Sequence, residues 1–120
     1  MKIEELLREK LRDISNVKFA YLFGSYADGS FHDRSDVDVA VYLDDDSFDE
    51  QLRVSYELSK VVEKEVDLVL LNSVKNLYLC EDIITKGILL KDAEKRIDFE
   101  LRKHHQYLDY IEFKKRIDAA

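Results

Sequence analysis

An α+β fold, a small mixed β-sheet flanked by helices, is what this sequence predicts, and three observations carry that expectation. Residues 17–23 form a nearly continuous apolar stretch fit for a buried strand. Residues 36–43 alternate β-branched and polar side chains in the manner of a strand with one face on a core. Ile3, Leu7, Leu11 and Ile14, with Leu6, recur at helical spacing, as do Ile97, Leu101, Leu108 and Ile111 near the other end. With 120 residues, 46% hydrophobic and 38% charged, no proline and three glycines, the chain has enough for one core and shows no linker. Residues 1–120 are therefore expected to form a single domain.

The elements follow in order. A first helix carries the 3–14 stripe, and a strand over 17–23 ends at Gly24-Ser25. Glycine lets the backbone approach a ligand closely, and the amides near it, with the Ser25 hydroxyl, can donate to phosphate oxygens. Ala27-Asp28-Gly29-Ser30 signals a second turn, with Gly29 suited to a positive φ. In the strand at 36–43, Val37, Val39, Val41 and Leu43 share the core face, and Asp36 and Asp38 share the other. Asp44-Asp45-Asp46 reads as a solvated turn. Ser47 with Glu50 is a capping-box pattern that opens a helix to about Lys64. Residues 65–71 give a third strand, and roughly 73–86 a helix ended by Gly87. Residues 88–90 give a short edge strand, and Asp92 caps a last helix over about 93–117.

Chemistry concentrates at Asp36 and Asp38. Carboxylates at i and i+2 on a strand lie ~7 Å apart, and at an effective dielectric near 20 they repel by about 2 kcal/mol. A cation between them relieves this, and hard oxygen ligands suit Mg²⁺ or Mn²⁺. A lone Asp-x-Asp is more often a solvated pair at a turn end. Here a Gly-Ser turn stands upstream, so a phosphate-holding turn and a divalent-metal site fall into one unit. The combination points to chemistry on a nucleoside triphosphate.

Gly24-Ser25, ten intervening residues, then Asp36-x-Asp38 resembles the signature of the DNA polymerase β-like nucleotidyltransferase superfamily. The short length and the tail are similar to the minimal nucleotidyltransferases, the MNT-type antitoxins paired with HEPN-domain toxins. Softer matches lie at Arg96-Ile97-Asp98-Phe99-Glu100 and Tyr107-Leu108-Asp109. The resemblance implies the polymerase β-like fold and a third carboxylate on a neighbouring strand. Asp67 is the candidate, on the face opposite Val66, Leu68 and Leu70; taken alone it would read as an Asp at a strand entrance.

By the same resemblance, Asp36 and Asp38 would hold Mg²⁺, or Mn²⁺, bridging the triphosphate of ATP. Asp67 would help hold a second ion and accept a proton from the attacking hydroxyl. Gly24 and Ser25 would steady the β- and γ-phosphates. AMP would pass to a tyrosine of a HEPN toxin, with pyrophosphate leaving. Asp28 departs from the family pattern, because many relatives carry Arg or Lys there. Arg34, in the same loop, is the candidate replacement cation.

The remaining features set limits. A net charge of −7 disfavours a broad nucleic-acid surface, and the basic clusters at 102–105 and 114–116 read as solvated or partner-facing helix surface. Cys80, the one cysteine, sits in an apolar helix pattern and reads as a small buried hydrophobe. His32 reads as a surface-loop residue. His104 and His105 are adjacent and diverge on a helix, so they do not make a zinc pair. No apolar run reaches membrane-spanning length and the first residues lack a signal peptide's hydrophobic centre, so a cytoplasmic protein is expected.

Along the last helix, Ile97, Leu101, Leu108 and Ile111 form one stripe with His104 among them. Phe99, Tyr107, Tyr110, Phe113 and Ile117 gather on the opposite side. One stripe can pack on the domain, and an exposed aromatic stripe suggests a protein interface. No Arg-x4-His motif of a HEPN protein stands out. Three functions follow: an AMP-transferring antitoxin, an antitoxin that acts by binding alone, and a small-molecule nucleotidyltransferase. The last would need an extra domain to enclose its substrate.

Overall fold

The computed structural model describes residues 2–119. In chain order they form α1 (Ile3–Asp13), β1 (Val17–Phe23), α2 (Ser25–Asp28), β2 (Val37–Leu43) and α3 (Phe48–Val62). Then come β3 (Val66–Leu70), α4 (Leu77–Lys86), β4 (Ile88–Lys91) and α5 (Lys95–Ala119). The strands make one mixed sheet in the order β3-β2-β1-β4. β1 runs antiparallel to β2 and to β4, while β2 and β3 are parallel. Parallel neighbours need a crossover, and α3 supplies it.

Both sheet faces are covered. Leu7 and Leu11 of α1, and Val54, Leu58 and Val62 of α3, pack with Leu22, Val37, Val39 and Val41 on one face. On the other, Cys80 and Ile83 of α4 and Phe99 of α5 pack with Phe19, Tyr21 and Ala40. Phe99 seals that face by meeting Phe19 and Tyr42 at 5.4 and 5.8 Å between ring centroids. β2 is thus buried on both faces over its middle, where alternation alone predicts one core face.

Most of the predicted elements are present, with local corrections. The Gly24-Ser25 turn leads into a one-turn helix, α2, where a polar loop was expected. Gly29 closes it in the left-handed region, φ 84°. β2 begins at Val37, so Asp36 lies just ahead of the strand. Only half of the capping box forms: Ser47 accepts from the Glu50 amide, but the Glu50 carboxylate pairs with Arg53 and Asn16 instead of reaching back. α4 starts at Leu77 and not near 73, because the Asn76 side chain caps it by accepting from the Leu79 amide. α5 starts at Lys95, and Asp92 accepts from the Ala93 amide and pairs with Arg96 at 2.6 Å.

The aromatic stripe of α5 divides along the helix: its first part packs on the domain, against expectation, and its far part is exposed as expected. The aromatic side packs: Phe99 is buried, and Tyr107 and Tyr110 meet Tyr78 of α4 edge-on at 5.8 and 5.7 Å. The aliphatic side faces outward, with Ile97, Leu101 and Leu108 exposed by 59%, 55% and 48%. Phe113 and Ile117 are also exposed, near the end of α5.

Gly87 joins α4 to β4 at close quarters. A Cβ there would run into the Ile83 carbonyl and lie 3.3 Å from the Leu22 carbonyl, both backbone atoms. Gly87→Ala is therefore expected to cost about 1–3 kcal/mol, since the α4–β1 contact must open to admit it. Thermal unfolding monitored by circular dichroism measures this.

Candidate active site

Three strand ends meet at one corner of the sheet. Asp38, the second residue of β2, is the Cα partner of Phe23, the last residue of β1, and of Asp67, the second residue of β3. Register partners on parallel strands lie about 5 Å apart and point the same way, so the two carboxylates share a face. It is the face that α4 and α5 cover farther along.

Asp38 is half-buried there. Burial raises its pKa first, the charges of Asp67 and then Asp36 add to the rise, and a hydrogen bond with Asp67 completes it. Burial, and after it the like charges of Asp67 and Asp36, disfavour the ionised form of Asp38. Asp36, exposed just before the strand, acts on Asp38 through its charge. Among the described residues, no three His, Cys, Asp or Glu side chains gather into a ready-made metal cage. The Asp38–Asp67 pair, flanked by Asp36, is an all-oxygen, mutually repelling donor set. That chemistry fits a hard divalent cation such as Mg²⁺, whose other positions are taken by water or phosphate oxygens.

Gly24 lies directly against this pair. Its φ is 71°, and a Cβ on it would occupy the place of the Asp38 carboxylate. Ser25 opens α2 immediately beside it, and the Gly24 carbonyl accepts from the Ala27 and Asp28 amides at 3.0 and 3.1 Å. The residues predicted as phosphate-holding therefore adjoin those predicted to hold metal.

Asp28 has a local role. Its Oδ1 accepts from the Ser30 amide at 2.9 Å and the Ser30 hydroxyl at 2.6 Å, and those bonds hold its carboxyl below the usual range. The loop beyond is pinned by Ser35 Oγ accepting from the His32 amide and by His32 Nδ1 accepting from the Arg34 amide. Arg34 is exposed and does not line the cavity beside Gly24, so the expected replacement cation lies elsewhere.

That cavity, about 360 Å³, is bounded by Phe23, Gly24, Ala27 and Asp28 on one side and by Leu79, Asp82, Ile83, Lys86 and Gly87 on the other. Lys86 and Asp82 escaped the sequence reading. The available signal was their place in the helix turn preceding Gly87 and the edge strand. A larger cavity, about 570 Å³, is lined by Leu22, Tyr26, Phe31 and Lys64 among others; the three carboxylates line neither cavity, and the smaller one meets them only through Gly24, which packs on Asp38.

Comparison with known proteins bears on the family and the fold. The family model Polymerase beta, Nucleotidyltransferase matches residues 2–96. The chain is 39% identical over 88 residues to the protein adenylyltransferase MntA of Shewanella oneidensis, a match spanning 72% of this chain and 60% of that protein. The chain thus spans less than two thirds of that relative's length. A Methanocaldococcus jannaschii relative is 38% identical over 88 residues, covering 68% of this chain and 88% of its own.

Among solved structures, a chain of a toxin–antitoxin with AMP-PNP superposes with a TM-score of 0.79 at 28% identity, over 97% of this chain and 95% of the other. A second, from the tri-AMPylated Shewanella oneidensis HEPN toxin in complex with MNT antitoxin, gives 0.71 at 25% identity, over 97% and 96%.

Proposed function

This chain belongs to the polymerase beta nucleotidyltransferase family, and from that premise we propose that it is an antitoxin that transfers AMP from ATP to a tyrosine of a cognate HEPN-domain toxin in the cytoplasm. One observation carries the reading: Asp38 faces Asp67 across the β2–β3 register while the Gly24 turn packs on Asp38. The relatives supply the acceptor, since one is a protein adenylyltransferase and another stands in complex with an AMPylated HEPN toxin.

In this reading Asp36, Asp38 and Asp67 would hold two Mg²⁺ ions, which would supply positive charge to offset that of the triphosphate. Gly24 and Ser25 steady the β- and γ-phosphates. Asp67 takes the proton of the tyrosine hydroxyl as its oxygen bonds to the α-phosphorus. The bond from that phosphorus to the α–β bridging oxygen breaks, and pyrophosphate leaves with the electron pair. Labelled ATP tests the bond cleaved: label in the α-phosphate is expected on the toxin, and label in the γ-phosphate in solution. Label transferred from the γ position would make the protein a kinase and overturn the reading.

The toxin docks on the outward stripe of α5. Ile97, Leu101 and Leu108 are an exposed aliphatic face on a helix already anchored through Phe99. Leu101→Glu is expected to reduce toxin affinity by at least about tenfold while leaving the melting temperature unchanged, because Leu101 contributes little to this protein's core. Titration calorimetry and thermal unfolding give the two readouts.

A further inference from the structure

We propose that Lys86, resting on the transferase reading above, is the cation that receives the β- and γ-phosphate end of ATP. The Gly24 turn has two flanks. On the β2 side stands the Asp38 carboxylate, and on the β4 side stands the Lys86-Gly87 junction. Ile88 is the Cα partner of Leu22, and Gly87 lies against the Leu22 carbonyl, so Lys86 comes up beside Phe23 and Gly24. A nucleotide with its α-phosphate at Asp38 and Asp67, and its outer phosphates over Gly24 and Ser25, extends toward Lys86. Among the described residues, Lys86 is the one cation lining the cavity there, about 360 Å³.

The neighbouring acids fit this assignment. Asp28, which also lines the cavity, is tied to Ser30. Asp82 holds Lys86 at 3.4 Å, but both side chains are largely exposed, at 78% for Lys86 and 67% for Asp82. Such a surface pair is weak and yields readily to a polyphosphate. A lysine suits the task, since its ammonium is a mobile point charge that can follow the leaving pyrophosphate.

The test compares AMP-PNP and AMP, which differ in the β- and γ-phosphates that Lys86 is assigned to meet. By titration calorimetry in Mg²⁺, Lys86→Ala is expected to weaken AMP-PNP about tenfold and to leave AMP within about twofold of wild type. Lys86→Arg should recover most of the loss. Lys60→Ala, a charge removed from α3 on the other sheet face, should change neither. In transfer assays KM for ATP rises while kcat holds. Wild-type affinity for AMP-PNP in Lys86→Ala, or equal losses for AMP-PNP and AMP, would overturn the assignment. If the wild type binds AMP-PNP but labels no toxin, the transferase reading fails, and Lys86 is still judged by the binding series.

Discussion

Asp38→Asn is expected to abolish AMP transfer, by about a thousandfold or more, and at the same time to raise the melting temperature of the ion-free protein by a few degrees, roughly 2–5 °C. Both effects come from one contact. Asp38 sits between Phe23 and Asp67 in the register, half-buried, with its pKa raised by burial and by the charges of Asp67 and Asp36. A carboxyl whose pKa is higher folded than unfolded costs stability. The cost grows as pH rises from the unfolded value through the folded one and is complete above the folded one. Asparagine removes the charge, keeps a hydrogen-bonding partner for Asp67, and so relieves the repulsion. By the role proposed for Asp38 it would also remove a metal ligand that the two remaining carboxylates would not replace. Transfer assays and thermal unfolding in EDTA check the two halves. A loss of activity with a lower melting temperature would mean that Asp38 serves the fold and not the site.

Gly24→Ala is the second large effect. The new Cβ would have to displace the Asp38 carboxylate, and the backbone φ of 71° is itself strained for alanine. A stability loss of about 1–3 kcal/mol is expected, together with at least a hundredfold loss of transfer, because relief requires the turn and Asp38 to move apart. Gly29→Ala is the control. Its φ is 84°, equally left-handed, but nothing lies within 4 Å of the added carbon. It should show backbone strain of about 1 kcal/mol with transfer within a few-fold of wild type. Parallel melting curves and ATP-dependent transfer rates separate collision at the site from strain alone.

What could be read from the sequence follows a physical division. Strands and helices declared themselves where periodicity and burial agree, as in the alternation of Val37, Val39, Val41 and Leu43 or the Leu7–Leu11 stripe. Gly24, Ser25, Asp36 and Asp38 could be singled out because turn chemistry and charge placement are local, whereas Asp67 was named only through the family resemblance. Their convergence could not be read, since it depends on the β2–β3 register, which α3 sets at long range.

Tertiary contacts decided what local pattern could not. Both stripes of α5 are apolar, and ring packing of Phe99 on Phe19 and Tyr42, and of Tyr107 and Tyr110 on Tyr78, draws the first part of the aromatic one onto the domain while Phe113 and Ile117 stay exposed. Lys86 carried no motif; its position comes from the antiparallel return of β4 along β1. Asp28 looked like a liability beside a polyanion, and its hydrogen bonds to Ser30 give it a structural reason to be there.

The central claim is that Asp36, Asp38 and Asp67 work beside the Gly24 turn as one nucleotidyl-transfer site acting on a protein. The most direct measurement is the intact mass of the cognate HEPN toxin after incubation with this protein, ATP and Mg²⁺. The mass is expected to rise by whole AMP units with the wild type, and not with Asp38→Asn or without Mg²⁺. Toxin neutralised at unchanged mass, or AMP added equally by Asp38→Asn, would contradict it.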